Sequence, residues 1–383
     1  MKRLKIIRTT TVPTSLYSFC LDLFKDLSSK YEVVAVSSPE IELKQIEEEA
    51  NIRCIGVPME RSISPFKDLV SLWRLIQVFR KEKPDMVHSM TPKAGLLSMM
   101  AAWVTRVPVR IHTFTGLVFP TSTGLKRKIL MLTDRITCAC ATHIIPEGEG
   151  VKQDLQQHGI TKKELKVLGY GNIKGINLKH YALTGNIKEQ ATAIRKNLHI
   201  DENDYVFLFI GRLVGDKGIH ELVDAFETLS TIHPHLHLIL VGAEEPNLDP
   251  LKIETRKKIH QIPTIHEVGE QVDVRPWYAA SNALVFPSYR EGFPNVVIEA
   301  GAMELPSIVT DINGSREIVI NEVNGVIIPS KNVQALQEAM ENFILHPEQT
   351  KEMGRKARPL IESRYEQSFV QQCLKDFYDS ILT

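Results

Sequence analysis

Tyr205-Val-Phe-Leu-Phe-Ile-Gly-Arg-Leu-Val-Gly-Asp-Lys-Gly218 is the stretch from which the fold can be read. Its first six residues form an unbroken apolar run rich in β-branched and aromatic side chains. Such a run is too short for a buried helix and suits a strand covered on both faces. A glycine-bounded turn follows, and residues 219–229 then space Ile219, Leu222, Val223, Phe226 and Leu229 at helical intervals. A strand that passes through a polar turn into a helix is half of a parallel βαβ unit. The phrase recurs downstream, with strands expected near residues 237–241, 265–268, 283–286, 307–309 and 325–328. It recurs upstream at 4–8, 32–36, 53–57, 86–88, 109–113, 143–146 and 165–168, with helices such as 15–28, 66–80 and 124–141 between them. The whole chain therefore reads as α/β, with two doubly wound parallel sheets.

The rhythm pauses between residues 169 and 201, a polar stretch containing four glycines. The expected division is a first Rossmann-like domain at 1–176, a second at 177–364 and an amphipathic C-terminal helix at 365–383. Two such domains place a cleft at the carboxyl ends of their strands, where α/β sheets bind ligands. Composition narrows the function. With 46 basic and 46 acidic residues among 383, no global field draws the chain to nucleic acid or to a membrane, so any basic site is local. Five cysteines without CxxC spacing suit a reduced, intracellular protein better than a disulfide scaffold. The N-terminus lacks the apolar core of a signal peptide, and no stretch is long enough to span a bilayer.

Chemistry concentrates in two places. Phe286-Pro-Ser-Tyr-Arg-Glu-Gly-Phe-Pro-Asn-Val-Val-Ile-Glu-Ala300 reads as strand, polar turn and helix start. The free amides around Gly292, Phe293, Pro294, Asn295 and Val296 suit an anion or sugar hydroxyls, and Gly292 lets a ligand approach the backbone. Glu291 precedes the turn and Glu299 lies inside the helix. Carboxylates beside a phosphate site make sense when they bind hydroxyls, and a nucleotide sugar presents a ribose and a hexose on either side of a diphosphate. At the second place, Arg212 and Lys217 follow Gly211 at the carboxyl end of a strand, where two cations can neutralise a departing diphosphate without a metal. Taken alone, that pair also fits a solvated turn.

These residues resemble the family 4 retaining glycosyltransferases of GT-B fold, which include bacterial polysaccharide and lipid-linked oligosaccharide enzymes. The most specific match is Glu291-Gly-Phe-Pro-Asn-Val-Val-Ile-Glu299, with Pro287-Ser288 before it and Asp311 to Gly314 and Glu317 after it. The resemblance implies that Arg212 and Lys217 hold the donor diphosphate and that Glu299 takes the ribose. It further implies that Glu291 with the 292–295 backbone meets the transferred sugar and that Gly269 lies beside the base. It implies a UDP-sugar donor, a lipid-linked saccharide acceptor, retention of configuration, no cofactor and no metal. The C-terminal helix would brace the first domain. The first half departs from the family pattern: Thr9 to Thr14 replaces a glycine-rich loop, and Thr115 stands where members often have a histidine. Thr91, Lys93 and Thr115 are the acceptor-side candidates, with Lys93 directed at an acceptor phosphate. His112 reads as structural.

Cations at Lys126, Arg127, Lys128 and Arg135, just after Leu117, Val118 and Phe119, suggest contact with an anionic leaflet, although a solvated helix face fits as well. The expected location is cytoplasmic, peripheral on the membrane's inner face, with no nucleic-acid partner. His233, His235 and His237 alternate with no carboxylate close in sequence, which argues against a metal site. Rival functions are another GT-B enzyme, such as a nucleotide-sugar epimerase or a phosphorylase, and a non-catalytic nucleotide-sugar binding protein.

Overall fold

The computed structural model describes residues 3–62, 64–245 and 249–382. The chain divides into two units, one running to Gly175 and resumed from Ser368, the other spanning Ile176–Gln367. Unit 1 comprises β1 (Lys5–Thr9), α1 (Pro13–Leu27), β2 (Glu32–Ser37), α2 (Ile41–Ala50), β3 (Arg53–Gly56), α3 (Pro65–Glu82), β4 (Met86–Met90), α4 (Pro92–Val104), β5 (Val109–Phe114), α5 (Gly124–Cys140), β6 (His143–Pro146) and α6 (Glu149–Gln157). Unit 2 comprises α7 (Gly185–Asn197), β7 (Tyr205–Ile210), α8 (Ile219–Ile232), β8 (Leu236–Val241), α9 (Ile253–Gln261), β9 (Ile265–Gly269), α10 (Arg275–Ala279), β10 (Ala283–Phe286), α11 (Asn295–Ala302), β11 (Ser307–Thr310), α12 (Ser315–Ile318), β12 (Gly325–Ile328), α13 (Val333–Leu345) and α14 (Pro347–Tyr365). The last helix, α15 (Gln367–Leu382), belongs almost wholly to unit 1.

Each unit carries one six-stranded parallel sheet, ordered β3-β2-β1-β4-β5-β6 and β12-β11-β10-β7-β8-β9. Both orders reverse once, between β1 and β4 and between β7 and β10, and a doubly wound sheet binds ligands beside that reversal. Proline opens α1, α3 and α4 at Pro13, Pro65 and Pro92, where its missing N–H costs nothing. Asn332 caps α13 by accepting the Ala335 amide at 2.9 Å.

Strand alternation sorts the core of unit 1 into two layers. Ile7, Val34 and Val36 point to the layer containing Leu75 and Phe79 of α3 and Leu97 and Ala101 of α4. Ile6, Val33 and Ala35 point to the opposite layer, with Leu16 and Phe24 of α1, Ile46 of α2 and Phe377 and Tyr378 of α15. In unit 2, Val206 through Ile210 are all buried, as a strand with helices on both faces requires.

The expected strand at 165–168 does not form. Leu165 makes one isolated bridge to Ile144, and the chain then turns through Gly169, whose φ of 56° ends any extended run.

Candidate functional site

The site of unit 2 is built on the loops after β7 and β10, the two strands that flank the reversal. Gly211 donates to the Val241 carbonyl and Leu213 to that of Ala243, both at 2.9 Å, which zips the loop after β7 to the loop after β8. A short 3₁₀ turn, Gly215–Lys217, follows and ends at Gly218. Gly218 has φ of 73°, and a Cβ there would lie 2.2 Å from the Pro287 carbonyl oxygen, so the turn seats directly on the segment after β10. Tyr289 fastens the same seam by donating its amide to Asp216 at 2.9 Å. Arg290 pairs with the Asp216 carboxylate at 3.0 Å.

This seam brings Lys217 onto Glu291. The ammonium bonds Glu291 Oε1 with both side chains largely buried, and the fully buried Ser288 hydroxyl donates to the same oxygen at 2.7 Å. Lys217 also stands 5.5 Å from the centre of the Phe286 ring. Removing either member of so enclosed a pair would leave a charge with little water to replace its partner. Arg212 lies on the same loop and is engaged elsewhere: Glu245, on the loop after β8, accepts from it at 2.5 Å in a more exposed pair.

Glu299 lies on the second turn of α11, whose first residues are Asn295 and Val296. Tyr278 of α10 donates to Glu299 Oε2 at 3.0 Å. Burial, followed by the adjacent Glu299 charge, holds the Tyr278 phenol well above its usual pKa, so it stays protonated and serves as a donor. Tyr181 is raised for the same reasons, burial first and the Glu299 carboxylate it hydrogen-bonds second. The backbone of Gly292, Phe293 and Pro294 rests on Gly314, where φ is 75° and a Cβ would lie 2.5 Å from the Gly292 carbonyl oxygen. Gly269, at the end of β9, also has positive φ, accepts the Gly242 amide at 2.9 Å and has open space where a side chain would start. Among the described residues no group of three or more His, Cys, Asp or Glu is arranged to hold a metal ion.

The histidines near β8 have no carboxylate close in sequence, but the fold brings one beside them. His235 and His237 bond the two oxygens of Asp204 at 3.0 and 3.1 Å, and His237 stacks on His266 with 5.3 Å between ring centres. Parallel register puts the residue preceding β7 beside the start of β8, although 31 positions separate Asp204 from His235.

In unit 1 the equivalent loops carry hydroxyls. Thr11 and Thr91 bond through their side-chain oxygens at 2.9 Å, and Thr11 also accepts the Ala94 amide at 3.2 Å, capping the first turn of α4. Thr91 holds φ of 67°, a conformation costly for a residue with a Cβ. Lys93 is not a free lysine at a helix start: its ammonium bonds both Asp68 oxygens, at 2.5 and 2.6 Å, and the Ser62 carbonyl at 2.8 Å. Thr115 directly follows β5 and is half-buried. His112 is structural: it is fully buried, accepts or donates at 2.8 Å with Ser89, and fills the space where Gly95 lacks a side chain. Burial lowers its pKa to about 3.

Glu245, Tyr278, Tyr181 and Ser288 carry no assignment from the sequence. Glu245 and the two tyrosines reach the site from other loops and helices of unit 2. Ser288 stood inside the quoted motif, and only its contact with Glu291 reveals its part.

Two family models match the chain, "Glycosyl transferase 4-like domain" over residues 20–171 and "Glycosyl transferases group 1" over residues 190–359. A capsular polysaccharide biosynthesis glycosyltransferase of Staphylococcus aureus is 33% identical over 384 residues, covering 100% of this chain and 98% of the relative. An N,N'-diacetylbacillosaminyl-diphospho-undecaprenol α-1,3-N-acetylgalactosaminyltransferase of Campylobacter jejuni is 25% identical, covering 96% of each chain. Among solved structures, Anabaena HepE in complex with UDP superposes with a TM-score of 0.81 at 18% identity, covering 99% of this chain and 100% of the other, a likeness of fold. The two parallel sheets, the Glu291 to Glu299 helix start and the full-length relatives agree: the chain belongs to the family 4 glycosyltransferases of GT-B fold.

Proposed function

We propose that this glycosyltransferase moves a sugar from a UDP-sugar to a hydroxyl of a lipid-linked saccharide, with retention of anomeric configuration and without a metal. The observation that carries the reading is the pair of loop cations, Arg212 and Lys217, each resting on a carboxylate that a diphosphate can displace. Arg212, Lys217 and the first amides of α11 together supply the positive charge that a departing diphosphate requires. Glu299, fixed by Tyr278, is suited to accept from ribose hydroxyls, and Glu291, released from Lys217, from the transferred sugar. In the reaction the bond between the anomeric carbon and the diphosphate oxygen breaks, and its electron pair leaves with UDP. The acceptor oxygen forms the new bond on the same face, and its proton passes to the departing diphosphate. No side-chain nucleophile takes part.

The lipid-linked acceptor is supported by relatives named for diphospho-undecaprenol acceptors, and the UDP donor by an Escherichia coli relative named as a UDP-Gal α-1,3-galactosyltransferase, 27% identical over 76% of this chain. An α-linked product from an α-linked nucleotide sugar is retention. No helix among the described residues is long and apolar enough to cross a membrane. The relatives named for diphospho-undecaprenol acceptors support action at the cytoplasmic surface of a membrane. On the acceptor side, Thr91, Lys93 and Thr115 are the residues of unit 1 assigned to it, with Lys93 exchanging Asp68 for a phosphate.

Metal-free thermal shift with UDP, GDP and ADP tests the donor. Selective stabilisation by UDP is expected, about 2.7 kcal/mol at a hundredfold excess over Kd. UDP release from a UDP-sugar should then accelerate when a lipid-linked saccharide is added. Equal response to all three nucleotides, or none, removes the UDP assignment. Sugar inversion without acceptor would indicate an epimerase, and a requirement for inorganic phosphate a phosphorylase.

A further inference from the structure

The outward side of α3 is unusual for a helix facing water. Phe66, Leu69, Val70 and Trp73 are 88, 64, 49 and 60% exposed. Their spacing of three and four residues lines them into one stripe along the first half of the helix. This is not the core stripe, which is formed separately by Ser71, Leu75 and Phe79, all buried. The exposed polar side chains of α3 that frame the outer stripe are Arg74, Gln77, Arg80 and Lys81, together with Lys67, whose charge Glu60 offsets at 2.6 Å. Both α3 carboxylates are engaged elsewhere, Asp68 with Lys93 and Glu82 with Lys5 and Arg53.

Across α4, in the same helical layer, α5 repeats the pattern. Leu125, Ile129 and Leu132 are 73, 37 and 55% exposed, beside the exposed Lys126 and Lys128. The only carboxyl of α5, Asp134, is pushed up to about 7 by burial. The other layer of the sheet has the opposite character, since α2 carries Glu42, Glu47, Glu48 and Glu49 against Lys44 alone. Unit 1 is therefore polarised across its sheet, one layer apolar and basic, the other acidic.

We propose that the α3 and α5 face of unit 1 seats this protein on an anionic lipid bilayer, with Phe66, Leu69, Val70 and Trp73 entering the acyl boundary and Arg74, Arg80 and Lys81 lying among the lipid phosphates. Charge selects this occupant. Two copies of a face framed by cations repel one another, whereas an apolar stripe bordered by Lys and Arg is the composition of a helix lying in a membrane interface. The inference deepens the reading above and rests on it in one respect: it names the surface from which a lipid-linked acceptor is met. Lys93 opens α4, the helix between α3 and α5, so an acceptor phosphate held there would lie close to the headgroup layer.

The test is flotation of the whole chain with vesicles of phosphatidylcholine, with and without phosphatidylglycerol, in the absence of donor and acceptor. The wild type is expected to float with the anionic vesicles at low salt, with a blue shift of tryptophan emission that W73F diminishes. F66S/W73S should lower partitioning at least about tenfold, and R74Q/R80Q/K81Q several-fold with a weaker salt dependence. All these positions are exposed, so unchanged melting temperatures will show that the fold is kept. F66S/W73S should also slow transfer to a saccharide carried in vesicles while sparing transfer to one on a short water-soluble aglycone. Failure of the wild type to float, an F66S/W73S variant that floats equally well, or a solution dimer abolished by F66S/W73S would each overturn the proposal. Flotation lost in F66S/W73S, together with a wild type that transfers to neither form of the saccharide, would uphold the surface and defeat the acceptor assignment.

Discussion

The two sheets share one strand order, yet their carboxyl-end loops are built from different chemistry. In unit 2 the loops beside the reversal carry opposite charges already paired, Lys217 on Glu291 and Arg212 on Glu245. In unit 1 the loop after β1 meets the loop after β4 through the hydroxyls of Thr11 and Thr91, and the one cation there, Lys93, is held by Asp68. Topology decides where a ligand is met and the loops decide which ligand. Paired charges suit a dianionic leaving group that exchanges for the carboxylates, while a hydroxyl-lined loop with a single cation suits a ligand recognised more weakly and by shape.

The contrast is broken most severely by K217A. If unit 2 performs the electrostatic work, turnover should fall by about 10²–10³ at temperatures where the variant stays folded, and the melting temperature should fall too, because Glu291 loses its partner in an enclosed site. The matching K93A in unit 1 should raise the acceptor KM far more than it lowers kcat. Steady-state kinetics with both substrates varied will separate the two, and an unchanged kcat in K217A would remove Lys217 from the reaction.

Acid sharpens the comparison at the level of stability. His112 in unit 1 and His266 in unit 2 are both depressed, to about 3 and about 4, by burial, with the neighbouring His237 and His199 adding to the effect on His266. Above about pH 6.5 each is neutral whether the chain is folded or unfolded, and neither makes stability depend on pH. Below it the unfolded chain takes up protons that the folded chain refuses. Stability therefore falls with pH, from about 6.5 to about 4 for His266 and onward to about 3 for His112. For His266 the loss is on the order of 2–3 kcal/mol at pH 4. H266Q should flatten that part of a melting-temperature profile. A profile that falls as steeply as wild type would show that His266 does not resist protonation.

The strands were legible because a run such as Val206 to Ile210 has few other ways to be buried. The failure at 165–168 is also physical: a short apolar run cannot extend an edge when Gly169 turns the chain. Lys217, Glu291 and Glu299 were legible because each lies in a local strand, turn and helix phrase. Tyr278 and Asp204 were not, since their roles depend on the register between elements that are distant in sequence. The α3 helix shows a subtler limit. Its recurring apolar residues announce a helix, but they form two stripes, and only the packed structure tells that Leu75 and Phe79 face the core while Phe66 and Trp73 face solvent.

Glu245 supplies the smallest test. It occupies Arg212 from the loop after β8, 33 positions away, in a pair whose side chains are 46 and 28% exposed. A pair so open to solvent is worth no more than about 1 kcal/mol and is screened by salt. If Glu245 holds the place of a donor phosphate, E245Q frees Arg212 and binds UDP more tightly, by about two- to fivefold at low salt, with the gain fading as salt rises. Calorimetric titration resolves a change of that size. Weaker binding in E245Q would instead show that the carboxylate orients Arg212 toward the diphosphate, and the pair would then differ from Lys93 and Asp68 in unit 1, where the carboxylate gives way to the ligand.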